Sequence, residues 1–229
     1  MSDSRAVAAG ADQGEVAEAT RRGLILRHDA SMRSRHWFIA MAFVLAALSG
    51  LALFHPALFG LTGLFGGGPW TRILHPIFGL LMVVPFLFLA AAVAEHNRMQ
   101  PNDWAWLRQY RDVVNKREDR LPEAGIYNAG QKLVFYVSLA CAVGLVLSGL
   151  PIWRAYFSAY FPIGLIRLGS VVHAACALVL ICTILVHIYA AIWVKGSLHA
   201  MVRGTVTPGW AWKHHRAWFR EITRSARPR

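Results

Sequence analysis

Carboxylates are scarce in this chain: 12 Asp and Glu stand against 24 Lys and Arg in 229 residues. None of them falls inside its long apolar runs. That lack of an intramembrane carboxylate gives no support to a proton-coupled transporter, even one relaying protons through histidines. No inverted repeat and no pair of interrupted apolar segments supports a transporter either. Cysteine is nearly as rare. Cys141, Cys176 and Cys182 all lie in apolar runs, with no C-x-x-C pair and no C-x-x-C-H attachment site, so three buried free thiols are expected. The first 23 residues lack the basic-then-apolar order of a secretory signal, and Asp3, Asp12, Glu15 and Glu18 argue against a transit peptide. A net charge of +12 would suit nucleic acid, but no recognition-helix or single-strand-stacking pattern accompanies it, so no nucleic-acid partner is expected.

What the sequence has in abundance is apolar length. Hydrophobic residues make up 56% of the chain, with 9 Trp, a balance rare in a water-soluble domain. Four runs, residues 37–54, 73–93, 133–150 and 170–194, are each long enough to cross about 30 Å of hydrocarbon at about 1.5 Å per helical residue, given some tilt. The predicted fold is therefore an all-α membrane protein, a bundle of four transmembrane helices. Three regions follow: a disordered cytoplasmic tail over 1–26, the membrane domain over 27–197, and a cytoplasmic interfacial segment over 198–229. In the last, Trp210, Trp212, Trp218 and Phe219 among Lys213, Arg216 and Arg220 suggest a helix lying along the inner interface.

Orientation follows from basic residues in the flanks and loops. Six lie before Trp37, seven between Arg98 and Lys132, and eight from Lys195 onward, whereas the other two connections hold only Arg72, Arg154 and Arg167. Twenty-one against three places both termini and the middle loop on the cytoplasmic side. The outward loops carry aromatics, among them Trp153, Tyr156, Phe157, Tyr160 and Phe161, that suit the headgroup belt.

Ionisable side chains in a membrane are costly enough to be functional candidates. Six of the ten histidines lie at or inside the spans, and four sort by depth. His173 and His187 share the fourth span at a spacing of fourteen, about 40° apart around the helix and about 21 Å apart along it. His36 opens the first span inside and His75 opens the second outside. The depth pairs are His36 with His187 and His75 with His173, and two histidines facing each other across a bundle can hold a haem iron from both sides. His55 and His96 close spans at depths that also suit the outer and inner site, so spacing leaves them open. His28, His199, His214 and His215 sit in basic tails without ligand-spaced Cys or carboxylate and read as solvated or interfacial.

The ordered motifs R-H-W at 35–37, R-I-L-H-P-I-F-G at 72–79, Y-N-A-G-Q-K at 127–132, H-A-A at 173–175 and H-I-Y-A-A-I-W-V-K-G-S at 187–197 resemble the cytochrome b gamma subunit of bacterial membrane-bound formate dehydrogenases. The similarity runs from about Arg27 to Glu221. It implies two haem b groups, an inner one on His36 and His187 and an outer one on His75 and His173, and it demotes His55. It also implies a quinone site beside the inner haem on Asn128, Gly130, Gln131 and His187. Amide side chains and unpaired N–H groups at a helix start can bind quinone carbonyls, and Gly130 would let a ring approach the backbone. Asn128 and Gln131 are equally read as a helix cap.

The resemblance further implies an iron-sulfur beta subunit and a formate-oxidising alpha subunit as partners, in a heterotrimer that assembles further into trimers. Electrons would pass from the outer side to menaquinone or ubiquinone near the cytoplasm. The competing expectations are the same dihaem wire serving a hydrogenase or another periplasmic dehydrogenase, a non-haem membrane anchor, and a proton-coupled transporter.

Overall fold

The computed structural model describes residues 12–115, 117 and 120–225. Four long helices dominate: α2 (Ala30–Phe54), α3 (Gly68–Val93), α6 (Ala129–Ile152) and α7 (Ile163–Trp193). Between 6% and 22% of each span's apolar stretch is buried within the protein. Side chains such as Phe88, Leu147, Leu178 and Val186 stand more than 60% exposed. Helices this apolar and this exposed are solvated by lipid, so the chain is a four-helix membrane protein. All four start four to seven residues ahead of the predicted runs. Hydropathy marks where lipid begins, whereas the helix starts where its first N–H groups find a cap. Asp29 caps α2, its carboxylate accepting from Met32 N at 2.7 Å.

The chain divides into two compact units. The bundle unit comprises residues 35–92 and 135–186. Its core is made of Ala42, Met82, Val83, Cys141, Ala142 and Leu180, with Ile39, Phe43, Phe86, Val137, Leu145 and Ile184 packed against them. Three of these six, Ala42, Cys141 and Ala142, are small, which lets helix backbones approach where no hydrophobic effect drives them together. Cys141 is buried, Cys176 half-buried and Cys182 exposed, all three as free thiols. The expectation of three buried thiols is thus corrected at Cys182, whose face of α7 looks out of the bundle. Tyr156 and Tyr160 in the connection after α6 are 66% and 81% exposed.

The polar unit comprises the described parts of 1–34, 93–134 and 187–229. It contains α1 (Gln13–Arg21), α4 (Pro101–Arg108), α5 (Tyr110–Val114), α8 (Ser197–Arg203), α9 (Pro208–His214) and α10 (Arg216–Ser225). Strands β1 (Ile25–Leu26) and β2 (Thr205–Val206) pair antiparallel, Ile25 opposite Val206. The expected disordered tail is therefore structured from residue 12 onward: α1 is capped by Asp12, and Glu15 accepts from Ala30 N at 3.1 Å. Residues 1–11 lie outside the described set. The C-terminal segment that carries the expected interfacial helix has an interior of its own. Ala200, Val206, Ala211 and Trp218 form a core joined by Ile25, Ile126, Trp210, Phe219 and Ile222, so most of the C-terminal aromatics are interior. Trp212 alone of the three tryptophans there stays exposed, at 44%.

That core is built around a cation. Arg27 is buried, donates through Nη2 to the Ile126 carbonyl at 2.6 Å, and lies 5.0 and 5.1 Å from the ring centres of Trp210 and Trp218. Two aromatic faces compensate for its lost hydration. Burial lowers its pKa to about 10, which leaves it charged at neutral pH. His215 and His28 are buried in the same unit, a correction to their reading as solvated residues. Neutral imidazoles can be interior when both ring nitrogens find partners, and His215 has two: Nδ1 at 2.7 Å from the Gly125 carbonyl and Nε2 at 3.2 Å from Arg27. Gly204 lets this packing close. At φ +83°, it accepts from Arg27 N and His28 N, and a Cβ there would sit 2.5 Å from the His28 carbonyl oxygen.

Candidate functional site

His75 on α3 and His173 on α7 come together inside the bundle unit, their ring centres 6.1 Å apart and their planes at 75°. Both are half-buried. Bis-histidine ligation can be tested against that spacing. A metal–imidazole bond of about 2 Å on each side, plus roughly 1.1 Å from Nε2 to each ring centre, puts the two centres about 6.2 Å apart. The pair fits a haem iron held between two imidazoles. Among the described residues no three His, Cys, Asp or Glu side chains converge on a metal position, so a two-ligand arrangement is what the donors offer.

Each ring is anchored through Nδ1. Ser49 Oγ on α2 lies 3.0 Å from His75 Nδ1, and Ser148 Oγ on α6 lies 3.2 Å from His173 Nδ1, which also reaches the Leu145 carbonyl at 3.1 Å. With Nδ1 occupied, Nε2 is the ring nitrogen available for a metal. Glycines follow both serines. A Cβ on Gly50 would stand 3.0 Å from His75 Cε1, and one on Gly149 would stand 3.4 Å from His173 Cε1.

The other predicted ligands are placed differently. His36 opens the bundle unit's part of α2, half-buried, with its ring 5.4 Å from Trp37 edge-on. His187 is half-buried in the polar unit's part of α7. His55 is exposed and serves as a cap: its Nδ1 accepts from Ala57 N at 3.2 Å, at the start of the 3₁₀ segment Pro56–Phe65. His96 is exposed too.

Asn128 and Gln131 bond each other's backbone reciprocally, Asn128 N to Gln131 Oε1 and Gln131 N to Asn128 Oδ1, both at 2.9 Å. The cap reading therefore holds, with a chemical consequence. Both amide oxygens are turned to the backbone, so both –NH₂ groups are directed away from it as donors. Gly130 has a different neighbour from the one its sequence suggested. The space its Cβ would fill lies 3.3 Å from Trp106 Cη2, so the ring approaching this backbone is the indole of α4. Next to it, Lys132 and Asp103 form a buried ion pair at 2.7 Å, Lys132 also donating to the Arg98 carbonyl and Asp103 accepting from Gln100 N. Sequence reading passed over Ser49, Ser148, Trp106 and this ion pair. For the serines a signal exists, because L-S-G-L occurs at both 48–51 and 147–150.

Comparison with known proteins identifies the family. The model of the prokaryotic cytochrome b561 family matches residues 27–204. The nitrate-inducible formate dehydrogenase cytochrome b556(Fdn) subunit of Escherichia coli K12 is 40% identical over 202 residues, covering 88% of this chain and 93% of that one. The formate dehydrogenase cytochrome b556(fdo) subunit of the same organism is 41% identical over 205 residues, 90% and 96% of the two chains. The formate dehydrogenase cytochrome b556 subunit of Haemophilus influenzae is 39% identical over 207 residues, 90% and 86%.

Proposed function

From the chain's membership of the prokaryotic cytochrome b561 family, we infer that it is the dihaem cytochrome b subunit of a formate dehydrogenase complex in the bacterial inner membrane. It takes electrons from an iron-sulfur subunit on the outer side and delivers them to a quinone near the cytoplasm. Formate oxidation belongs to a separate subunit, and the relatives' names supply that substrate. The observation that carries the reading is the His75–His173 pair at 6.1 Å, with both Nδ1 atoms already bonded.

His75 and His173 hold the outer haem, and His36 and His187 the inner one. Haem b supplies, when bound, a reversible one-electron relay. The protein's own work is to keep the imidazoles neutral and aimed, and to shield them from water with the apolar faces of four helices. The excess of basic residues in both tails and the middle loop, twenty-one of twenty-four, supports a cytoplasmic polar unit.

Quinone binds against Asn128, Gly130, Gln131 and His187. The Asn128 and Gln131 –NH₂ groups, oriented by the reciprocal cap, donate to its carbonyl oxygens. Trp106, packed on Gly130, forms an aromatic wall there. Reduction takes two electrons from the outer side and two protons from the cytoplasm; each electron crossing inward works against about 2.3 kcal/mol per 100 mV, and the proton uptake adds to the pH difference. Copurification tests the assembly: a tagged chain should bring down a formate-oxidising activity that reduces added menaquinone or ubiquinone analogues. A chain that copurifies with a different dehydrogenase would reassign the donor.

A further inference from the structure

The two outer histidines are held in the same way by corresponding residues. L-S-G-L at 48–51 recurs at 147–150, and the histidines follow their serines by 26 and 25 positions. The repeat is parallel, matching α2 with α6 and α3 with α7. In each copy the serine hydroxyl has its hydrogen committed to its own helix. Ser49 Oγ donates to the Leu45 carbonyl at 2.7 Å, and Ser148 Oγ to the Gly144 carbonyl at 2.5 Å. A hydroxyl has one hydrogen, and a carbonyl can only accept. The serine–histidine contact must therefore run from Nδ1–H to Oγ. The Leu145 carbonyl, 3.1 Å from His173 Nδ1, requires the same proton position. Both serines are buried, Ser49 completely, so water does not compete for these bonds.

We propose that Ser49 and Ser148 are positioning residues for the outer haem: each shares its histidine's Nδ1–H with a neighbouring backbone carbonyl, Ala46 for His75 and Leu145 for His173, and so helps present the Nε2 lone pair to iron and lowers the haem's reduction potential. The glycine after each serine provides the space in which the imidazole edge rests, since a Cβ would meet Cε1 at 3.0 Å from Gly50 and 3.4 Å from Gly149. An N–H donated from a ligating imidazole increases its electron donation to the metal, which favours the ferric state. Removing the serine hydroxyl leaves only the backbone carbonyl as acceptor, which weakens this donation and should shift the equilibrium toward ferrous iron.

The proposal rests on the dihaem reading, and the test separates the two. Spectroelectrochemical titration of the purified complex would be run on wild type, Ser49→Ala, Ser148→Ala and Ser148→Thr. Wild type should carry two b haems. Each alanine variant should retain both, with one midpoint raised by a twofold to tenfold change in the ferric/ferrous ratio, a tenfold change being 59 mV for one electron. Ser148→Thr, which keeps the hydroxyl, should titrate as wild type. Loss of one haem from the alanine variants and its retention in Ser148→Thr would support the same role. Two haems with both midpoints unmoved in both alanine variants would overturn the proposal while leaving the dihaem reading intact. Fewer than two haems in wild type would overturn the dihaem reading itself.

Discussion

His215 makes the polar unit sensitive to acid. Its Nδ1 donates to the Gly125 carbonyl and its Nε2 accepts from Arg27, so a second proton on the ring would place two donors, and two cations, 3.2 Å apart. Burial holds its pKa well below 6.5, with Arg27, His214 and His28 adding electrostatic repulsion. The sign follows directly: the unfolded unit binds a proton that the folded unit refuses, so stability is full above pH 6.5 and falls as pH drops through it. For an unfolded pKa of 6.5 and a folded ring that stays neutral, the change between pH 7 and pH 5 is about 2 kcal/mol. Tryptophan-fluorescence melting, reporting on Trp210 and Trp218, would compare wild type with the non-titrating His215→Leu. At pH 7 the variant is less stable, because Arg27 and the Gly125 carbonyl lose a buried partner. Toward pH 5 wild type loses about 2 kcal/mol that the variant does not, so the gap in melting temperature should narrow by roughly 4–8 °C for a chain of this size. A gap unchanged between pH 7 and pH 5 would refute the neutral, doubly bonded His215.

Three further perturbations follow from particular contacts. Gly204→Ala introduces a Cβ at φ +83° against the His28 carbonyl and the Arg33 guanidinium, and should cost more than about 2 kcal/mol, read as a lowered melting temperature or lost expression. Asp103→Leu leaves Lys132 buried without its carboxylate and should cost about 3–5 kcal/mol, and adding Lys132→Met should recover part of that in a double-mutant cycle, the Gln100 N–H and the Arg98 carbonyl having lost their partners. Gln131→Ala removes one donor to the quinone and half of the α6 cap. Quinone reduction should fall about tenfold, for a hydrogen bond of about 1.4 kcal/mol, with both haem spectra intact; unchanged quinone kinetics would remove Gln131 from the pocket.

What could be read from the sequence divides along a physical line. The four spans were legible because lipid imposes both length and composition, and their ends were not, because caps such as Asp29 lie in polar sequence. The His75–His173 pairing was legible because helix rise converts sequence position into membrane depth, and the rings do meet. The interior of the polar unit was hidden. Arg27 finds Ile126 at a separation of 99 residues and His215 at 188, and nothing local distinguishes a buried basic residue from a solvated one. Gly130 was recognised as a place where a ring approaches, but the ring proved to be Trp106, twenty-four residues earlier, whose direction depends on how α4 packs. The serines beside His75 and His173 were concealed by their chemistry: a mid-helix Ser bonding back to its own carbonyls looks like a merely tolerated residue until its free lone pair is seen facing an imidazole.

Two haems held by four histidines at two depths can be counted. A reduced-minus-oxidised spectrum with pyridine-haemochrome stoichiometry would be recorded on the purified protein, on His75→Ala and on His187→Ala. About two b haems per chain are expected in wild type and about one in each variant, with different residual potentials. A folded wild-type chain carrying no haem, or a His75→Ala variant that keeps both, would contradict it.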